Sequence, residues 1–427
     1  MPIRNLFLGI ISVLLFWGAS AQTQKARSVT KVLCSDTLYG RGYVKDGVNK
    51  AARFLAHQFK ASGLHPFLED SSYLQPFTHS VNTFPDTVAL TVNNRALKTG
   101  EDFIVASTSG AGVAETKAVY LDTSVVTDKE RLRRAIQEVR SDRANTFFVD
   151  LNGADPKTEN RLIRELQGLA KVGHVIFTTN QKFTWSVGRY QYDHAIMIVK
   201  ASKVEFEDAI EFHIDAEFKE DFTSQNVIGY LPAAENDANT IVFTAHYDHL
   251  GGMGTNESTY FPGANDNASG TAMLISLADH FVKNPCDYNL LFIAFAGEEA
   301  GLLGSKYFVE NTSMDFEDIH FLLNLDIMGS GENGITAVNG KVHTDAFDKL
   351  KSLNDDHLTT IKARGETANS DHYYFHKKGV PSFFIYTMGE NKHYHDVHDT
   401  YDELTFSAYE DIITLLSKFV KHINELN

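Results

Sequence analysis

The stretch Ile241-Val242-Phe243-Thr244-Ala245-His246-Tyr247-Asp248-His249 decides the reading of this chain. A short β-branched and aromatic run ends directly in a possible metal ligand. The pattern recurs twice downstream: Leu290 to Phe295 leads into Gly297-Glu298-Glu299, and Phe321 to Leu325 ends in Asp326. Short apolar runs of this kind predict buried strands of a parallel sheet. Ligands of open α/β sheets sit beyond the carboxyl ends of such strands. Three strands would therefore carry His, Glu and Asp side chains to one edge. Imidazole with carboxylates, and no thiolate, suits zinc or a similar divalent ion.

Outward from that stretch, strand-like and helical segments alternate from Asn226 onward, as in a doubly wound sheet. Spacing predicts a helix over 46–62, where Val48, Ala52, Leu55 and Phe59 share a face and Gly63 stops it. An amphipathic helix is expected over about 268–282 and a last one over about 407–423. Residues 80–203 differ in texture. Strand-like runs at 117–121, 146–150 and 173–178 alternate with a charged helical stretch near 156–171, and candidate ligands are few. Residues 209–219 alternate, with Ile210, Phe212, Ile214, Ala216 and Phe218 on one side, which predicts one amphipathic strand. The expected fold is α/β, a mixed and mostly parallel sheet flanked by helices. It is discontinuous: 22–80 and 205–427 form the main domain, and 81–204 form a smaller inserted α/β or β-rich unit.

The first residues read as an export signal. Arg4 precedes an apolar stretch from Leu6 to Gly18, and Ala19-Ser20-Ala21 fits a cleavage site. The stretch is short for a membrane span. A secreted or periplasmic location is expected, with cleavage after Ala21 and no stable membrane span thereafter. The net charge of −16 argues against nucleic acid and anionic membrane surfaces as partners. Cys34 and Cys286 are the only cysteines, enough for one bridge or two free thiols.

Four further segments carry candidate chemistry. Gly263-Ala264-Asn265-Asp266-Asn267-Ala268-Ser269-Gly270 is a small-residue turn before a helix. Asp266 there is either a helix N-cap or a metal ligand. Glu298 and Glu299 are adjacent, so their side chains diverge. One can bind metal while the other faces water, the division a hydrolytic metal site needs. Asp326, if buried at a strand end, must be paired or bound to metal. His393-Tyr394-His395-Asp396-Val397-His398-Asp399-Thr400 is dense in ligands, and at most one or two of its histidines are expected to matter.

Taken in order, these motifs resemble the M28 family of co-catalytic zinc aminopeptidases and carboxypeptidases. The matching set is His-x-Asp at His246 and Asp248, Gly-Ala-x-Asp-Asn-Ala-Ser-Gly around Asp266, Glu298-Glu299, Asn324-x-Asp326, Ser370-Asp371-His372, and His395 to Thr400. Ser35 to Gly42 and Gly63 to Pro66 also resemble members with an inserted lid, and the rhythm from Phe147 to Phe177 is similar to a protease-associated insert. The resemblance implies two zinc ions per chain. His246 and Asp326 would share one, Glu299 and His395 the other, and Asp266 would bridge them across a cis Asp266–Asn267 peptide. Glu298 is implied as general base, and Tyr394 as a partner of the tetrahedral oxyanion. Asp248 would hydrogen-bond His246 and fix its tautomer. Ser370 and Asp371 would shape the floor, and Asp399 would support the site from the last motif.

The implied activity is an exopeptidase, an aminopeptidase in first place, acting on peptides. Two other functions stay open. Glutaminyl cyclases on the same fold use one zinc and cyclise N-terminal Gln. Receptor-like relatives keep the fold without catalysis, although they tend to lose ligands that are present here.

Overall fold

The computed structural model describes residues 22–68, 71–126, 128–235, 239–255 and 259–425. The expected export signal lies outside the described residues. Among these residues no helix is long and apolar enough to cross a membrane.

The strand runs read from the sequence meet side by side. In the main sheet Glu217–Leu231 is followed by Asn289–Phe295, Thr240–His246, Ile319–Asp326, Ser382–Thr387, Ile335–Val338 and Ile361–Ala363. Thr240–His246 runs parallel to both Asn289–Phe295 and Ile319–Asp326, and Ser382–Thr387 continues the parallel set. Glu217–Leu231 and Ile335–Val338 are antiparallel to their neighbours Asn289–Phe295 and Ser382–Thr387. The fold is mixed α/β with a mostly parallel centre, as expected.

Both faces are covered. Ile241, Phe243 and Ala245 pack with helices Gly47–Ser62, Gly270–Lys283 and Tyr409–His422. Val242 points the other way, into Phe308 and Phe375 from helices Leu303–Asn311 and His372–Lys377. Two covered faces explain why the run is continuously apolar rather than alternating. Helix Gly270–Lys283 departs from the expected amphipathic pattern: every residue from Gly270 to Ala278 is buried, as is Phe281. It lies between the sheet and its neighbouring helices, so it has almost no wet side.

The segment expected to be inserted contributes to two further sheets. One runs Phe103–Val105, Ile196–Lys200, His174–Thr179, Thr146–Asp150, Ala118–Asp122, parallel except at its first pair. The other is antiparallel: Arg95–Ala96, Val88–Val92, Ile210–Ile214, Gly112–Glu115. The alternating run 209–219 is therefore not one strand. Ile210–Ile214 belongs to this antiparallel sheet, and a new strand starts at Glu217. The boundary expected at 205 precedes Ile210–Ile214, which pairs with Val88–Val92 and Gly112–Glu115 rather than with the main sheet. The same alternation continues across the break, so pattern alone could not mark it. Leu74–Thr83 and Glu217–Leu231 form a long antiparallel ribbon. Cys34 and Cys286 are free thiols.

Candidate metal centre

Three parallel strands deliver their last residues to one edge. His246 closes Thr240–His246 and Asp326 closes Ile319–Asp326. Glu298 and Glu299 follow Asn289–Phe295 through Gly297, whose positive φ of 68° turns the chain. Asp266 comes from the turn before helix Gly270–Lys283, across a cis Asp266–Asn267 bond. His395 hangs from the loop after Ser382–Thr387.

All five expected ligands converge, in two sets that share Asp266. His246 Nε2 stands 3.3 Å from Asp266 Oδ1 and 3.4 Å from Asp326 Oδ1. His395 Nε2 stands 3.0 Å from Asp266 Oδ2 and 3.2 Å from Glu299 Oε2. Two donors each 2.0–2.1 Å from a tetrahedral zinc stand about 3.3 Å apart, so the spacing suits that ion. Glu298 is half-buried beside His246 and Glu299, and its carboxylate hydrogen-bonds neither.

The electrostatics point the same way. Burial opposes charge on Glu299, yet the imidazoles of His395 and His249 hold its carboxyl down at about 2. Burial likewise opposes a proton on His395, but Glu299 and Asp266 push it up to about 11. Loss of solvation holds Glu298 well above the usual range; Glu299, Asp371 and Asp326 add to this against His246. The cluster thus draws positive charge, which divalent cations would supply.

The supporting residues differ in part from expectation. The Asp248 carboxylate does not bond His246: its Oδ1 is 3.8 Å from Nδ1. It instead accepts the backbone N–H groups of Glu298 and Glu299 at 3.2 and 3.3 Å. The His246 tautomer is set by the Asp248 main-chain carbonyl, 3.2 Å from Nδ1, since a carbonyl can only accept. Asp399 accepts the N–H groups of Asn265 and Asp266 at 2.9 and 3.0 Å, which pins the turn bearing Asp266. Ser370 takes a bond from Asn324 at 2.7 Å and reaches Asp326 Oδ2 at 3.4 Å. Asp371 is sealed from solvent and hydrogen-bonds none of the five; burial lifts its carboxyl to about 7. Tyr394 lies flat on His395 with ring centroids 3.8 Å apart, its own side chain 53% exposed at the mouth. The N-cap alternative for Asp266 fails, because no side-chain cap bond forms there. Asn267 Oδ1 accepts the Gly270 N–H instead, at 3.0 Å.

Two contributors escaped the sequence reading. His249 is fully buried and its Nδ1 meets Glu299 Oε1 at 2.8 Å. The His-x-Asp-His spacing was its only signal. Gly263 lies against its ring: at φ 58°, a Cβ there would fall 2.3 Å from both His249 Cδ2 and the Asp266 carbonyl. Arg41, noted only as part of a motif, is fully buried. It donates to the carbonyls of Tyr247, Pro262 and Gly263 at 2.7 Å and of Leu33 at 2.9 Å. It thereby ties the chain after His246 to the turn that carries Asp266.

Residues 226–420 match the model of Peptidase family M28. Among curated proteins, the chain is similar to aminopeptidase YwaD of Bacillus subtilis, 30% identical over 43% of this chain and 41% of that protein. It is 27% identical to a probable leucine aminopeptidase of Trichophyton verrucosum, over 58% of this chain and 67% of that one. With YwaD, the chain thus matches about two fifths of the relative's length. Among solved structures, an aminopeptidase from Aneurinibacillus sp. strain AM-1 superposes with a TM-score of 0.64 at 21% identity, covering 93% of each chain. A zinc aminopeptidase from Bacillus subtilis gives 0.67 at 17%, covering 94% of each. These two share the fold.

Proposed function

Because residues 226–420 match the model of Peptidase family M28, we propose that the chain is a member of that family and an exported two-zinc aminopeptidase that removes N-terminal residues from peptides. The observation that carries this reading is the division of Asp266. One of its oxygens faces His246 and Asp326, and the other faces His395 and Glu299. His246 and Asp326 would hold one ion, Glu299 and His395 the other, with Asp266 common to both. Zinc bound there would supply a Lewis acid for the scissile carbonyl and lower the pKa of an attacking water.

The chain's own groups do the rest. Glu298 lies within 4.8 Å of His246 and Glu299; left uncoordinated there, it would take a proton from water and pass it to the leaving amine. Asp248 fixes the backbone of Glu298 and Glu299 together, so base and ligand keep one geometry. Tyr394, at the mouth, would donate its hydroxyl to the oxyanion. Arg41, a nearby cation, is occupied by backbone carbonyls. The carboxylates therefore favour a substrate's ammonium end over its carboxylate end. Export rests on Leu6 to Gly18 and the Ala19-Ser20-Ala21 site in the sequence.

The test is a panel of peptides with free and blocked N-termini, including Gln-peptides, read for released amino acids and for pyroglutamate. Free amino acids from unblocked peptides alone are expected. Pyroglutamate without hydrolysis would make the chain a cyclase, and no turnover by the zinc-loaded protein would favour a binding role.

A further inference from the structure

His395 is held from outside the main domain. Its Nδ1 lies 3.0 Å from the main-chain carbonyl of Trp185, and the Trp185 N–H donates back to the His395 carbonyl at 3.0 Å. Trp185 belongs to the inserted unit. A carbonyl can only accept, so Nδ1 carries a proton, and Nε2, which faces Asp266 and Glu299, is the nitrogen that would bind an ion. Trp185 is itself fixed. Its indole stacks on Phe261 at 4.8 Å, donates to the Val105 carbonyl at 2.8 Å and is only 6% exposed. Three residues earlier, Lys182 reaches the same loop. Its Nζ pairs with Asp396 at 2.6 Å and donates to the Lys392 carbonyl at 2.7 Å. The other donor set has different supports. The His246 tautomer is set by Asp248, and Asp326 is touched by Ser370, all within the main domain.

We propose that the inserted unit is a working part of one ion site only: Trp185 and Lys182 are positioning residues that hold His395 in its ligating orientation, while the His246–Asp326 site stands without them. The proposal rests on the ligand assignment above. It goes beyond a covering lid, because it makes the insert a determinant of how tightly one of two ions binds. Loss of the partner of a metal-ligating His typically costs about 10–100-fold in affinity.

The experiment uses the full chain stripped of metal and titrated with zinc against a chromophoric chelator, which yields two stepwise affinities. Lys182→Met, Trp185→Gly and His395→Ala are compared with wild type. Lys203→Met breaks an ion pair with Asp102 elsewhere in the insert and serves as control. His395→Ala identifies the step that belongs to its site. Lys182→Met and Trp185→Gly are each expected to weaken that step about 10–100-fold and leave the other unchanged, with Lys203→Met like wild type. Lys182 is 46% exposed, so its variant opens no core cavity and keeps the test readable if Trp185→Gly fails to fold. If His395→Ala loses one ion while Lys182→Met keeps both affinities, the insert has no such role. The same holds if both affinities fall together. If His395→Ala still binds two ions as wild type does, the ligand assignment itself is wrong, and this inference goes with it.

Discussion

At the scale of single residues, the proposed function gives the adjacent carboxylates of Glu298 and Glu299 opposite duties, and this separates them in experiment. Glu298→Gln keeps size and one acceptor but cannot take a proton. It is expected to lower kcat by about 10²–10⁴-fold with zinc content unchanged. Glu299→Gln removes an anion that faces His395 and His249 and should lower zinc content as well as rate. Zinc stoichiometry and kcat measured on both variants decide it; metal lost from the first and kept by the second would reverse the roles. His249→Ala removes the partner of Glu299 without removing a proposed ligand. Zinc affinity is expected to fall about 10–100-fold, read by chelator competition, and an unchanged affinity would make His249 mere filling. The five proposed ligands were legible from the order of their motifs: His246 and Asp326 close strands, whereas Asp266 and His395 lie in a turn and a loop. His249 was not, since its partner lies 50 positions away in sequence. The bond expected from the Asp248 carboxylate was misassigned for a similar reason: the competing N–H groups of Glu298 and Glu299 come from another strand.

At the scale of elements, the site is a set of strand ends and turns bound together by buried polar groups. The central strands were legible because a parallel strand with two covered faces leaves an unbroken apolar run. Helix Gly270–Lys283 was legible in place but not in pattern, since burial on nearly every side erases amphipathicity. The break at 215–216 was invisible because two strands in different sheets keep one alternation. Arg41 joins these elements, and its removal is the sharpest test of their coupling. Arg41→Met would leave the carbonyls of Leu33, Tyr247, Pro262 and Gly263 without their donor. Each unsatisfied buried acceptor costs about 1–3 kcal/mol, so a loss of about 4 kcal/mol or more is expected in urea unfolding. A loss below about 1 kcal/mol would mean that water replaces the guanidinium and that the clamp is not structural.

At the scale of the whole molecule, the proposed inserted unit packs against the chain that follows His246. Leu250, Met253 and Phe261 from the chain after His246 share a hydrophobic cluster with Phe103 and Trp185 of the insert. The contact of Trp185 with His395 was not legible, because Trp185 makes it through its backbone carbonyl and N–H. What the site holds, on the reading proposed here, is a pair of ions sharing Asp266. Counting zinc by elemental analysis in the full, active chain addresses that directly. Two zinc ions per chain, both needed for release of N-terminal residues, are expected. Full peptidase activity with a single zinc per chain would contradict the shared-carboxylate site.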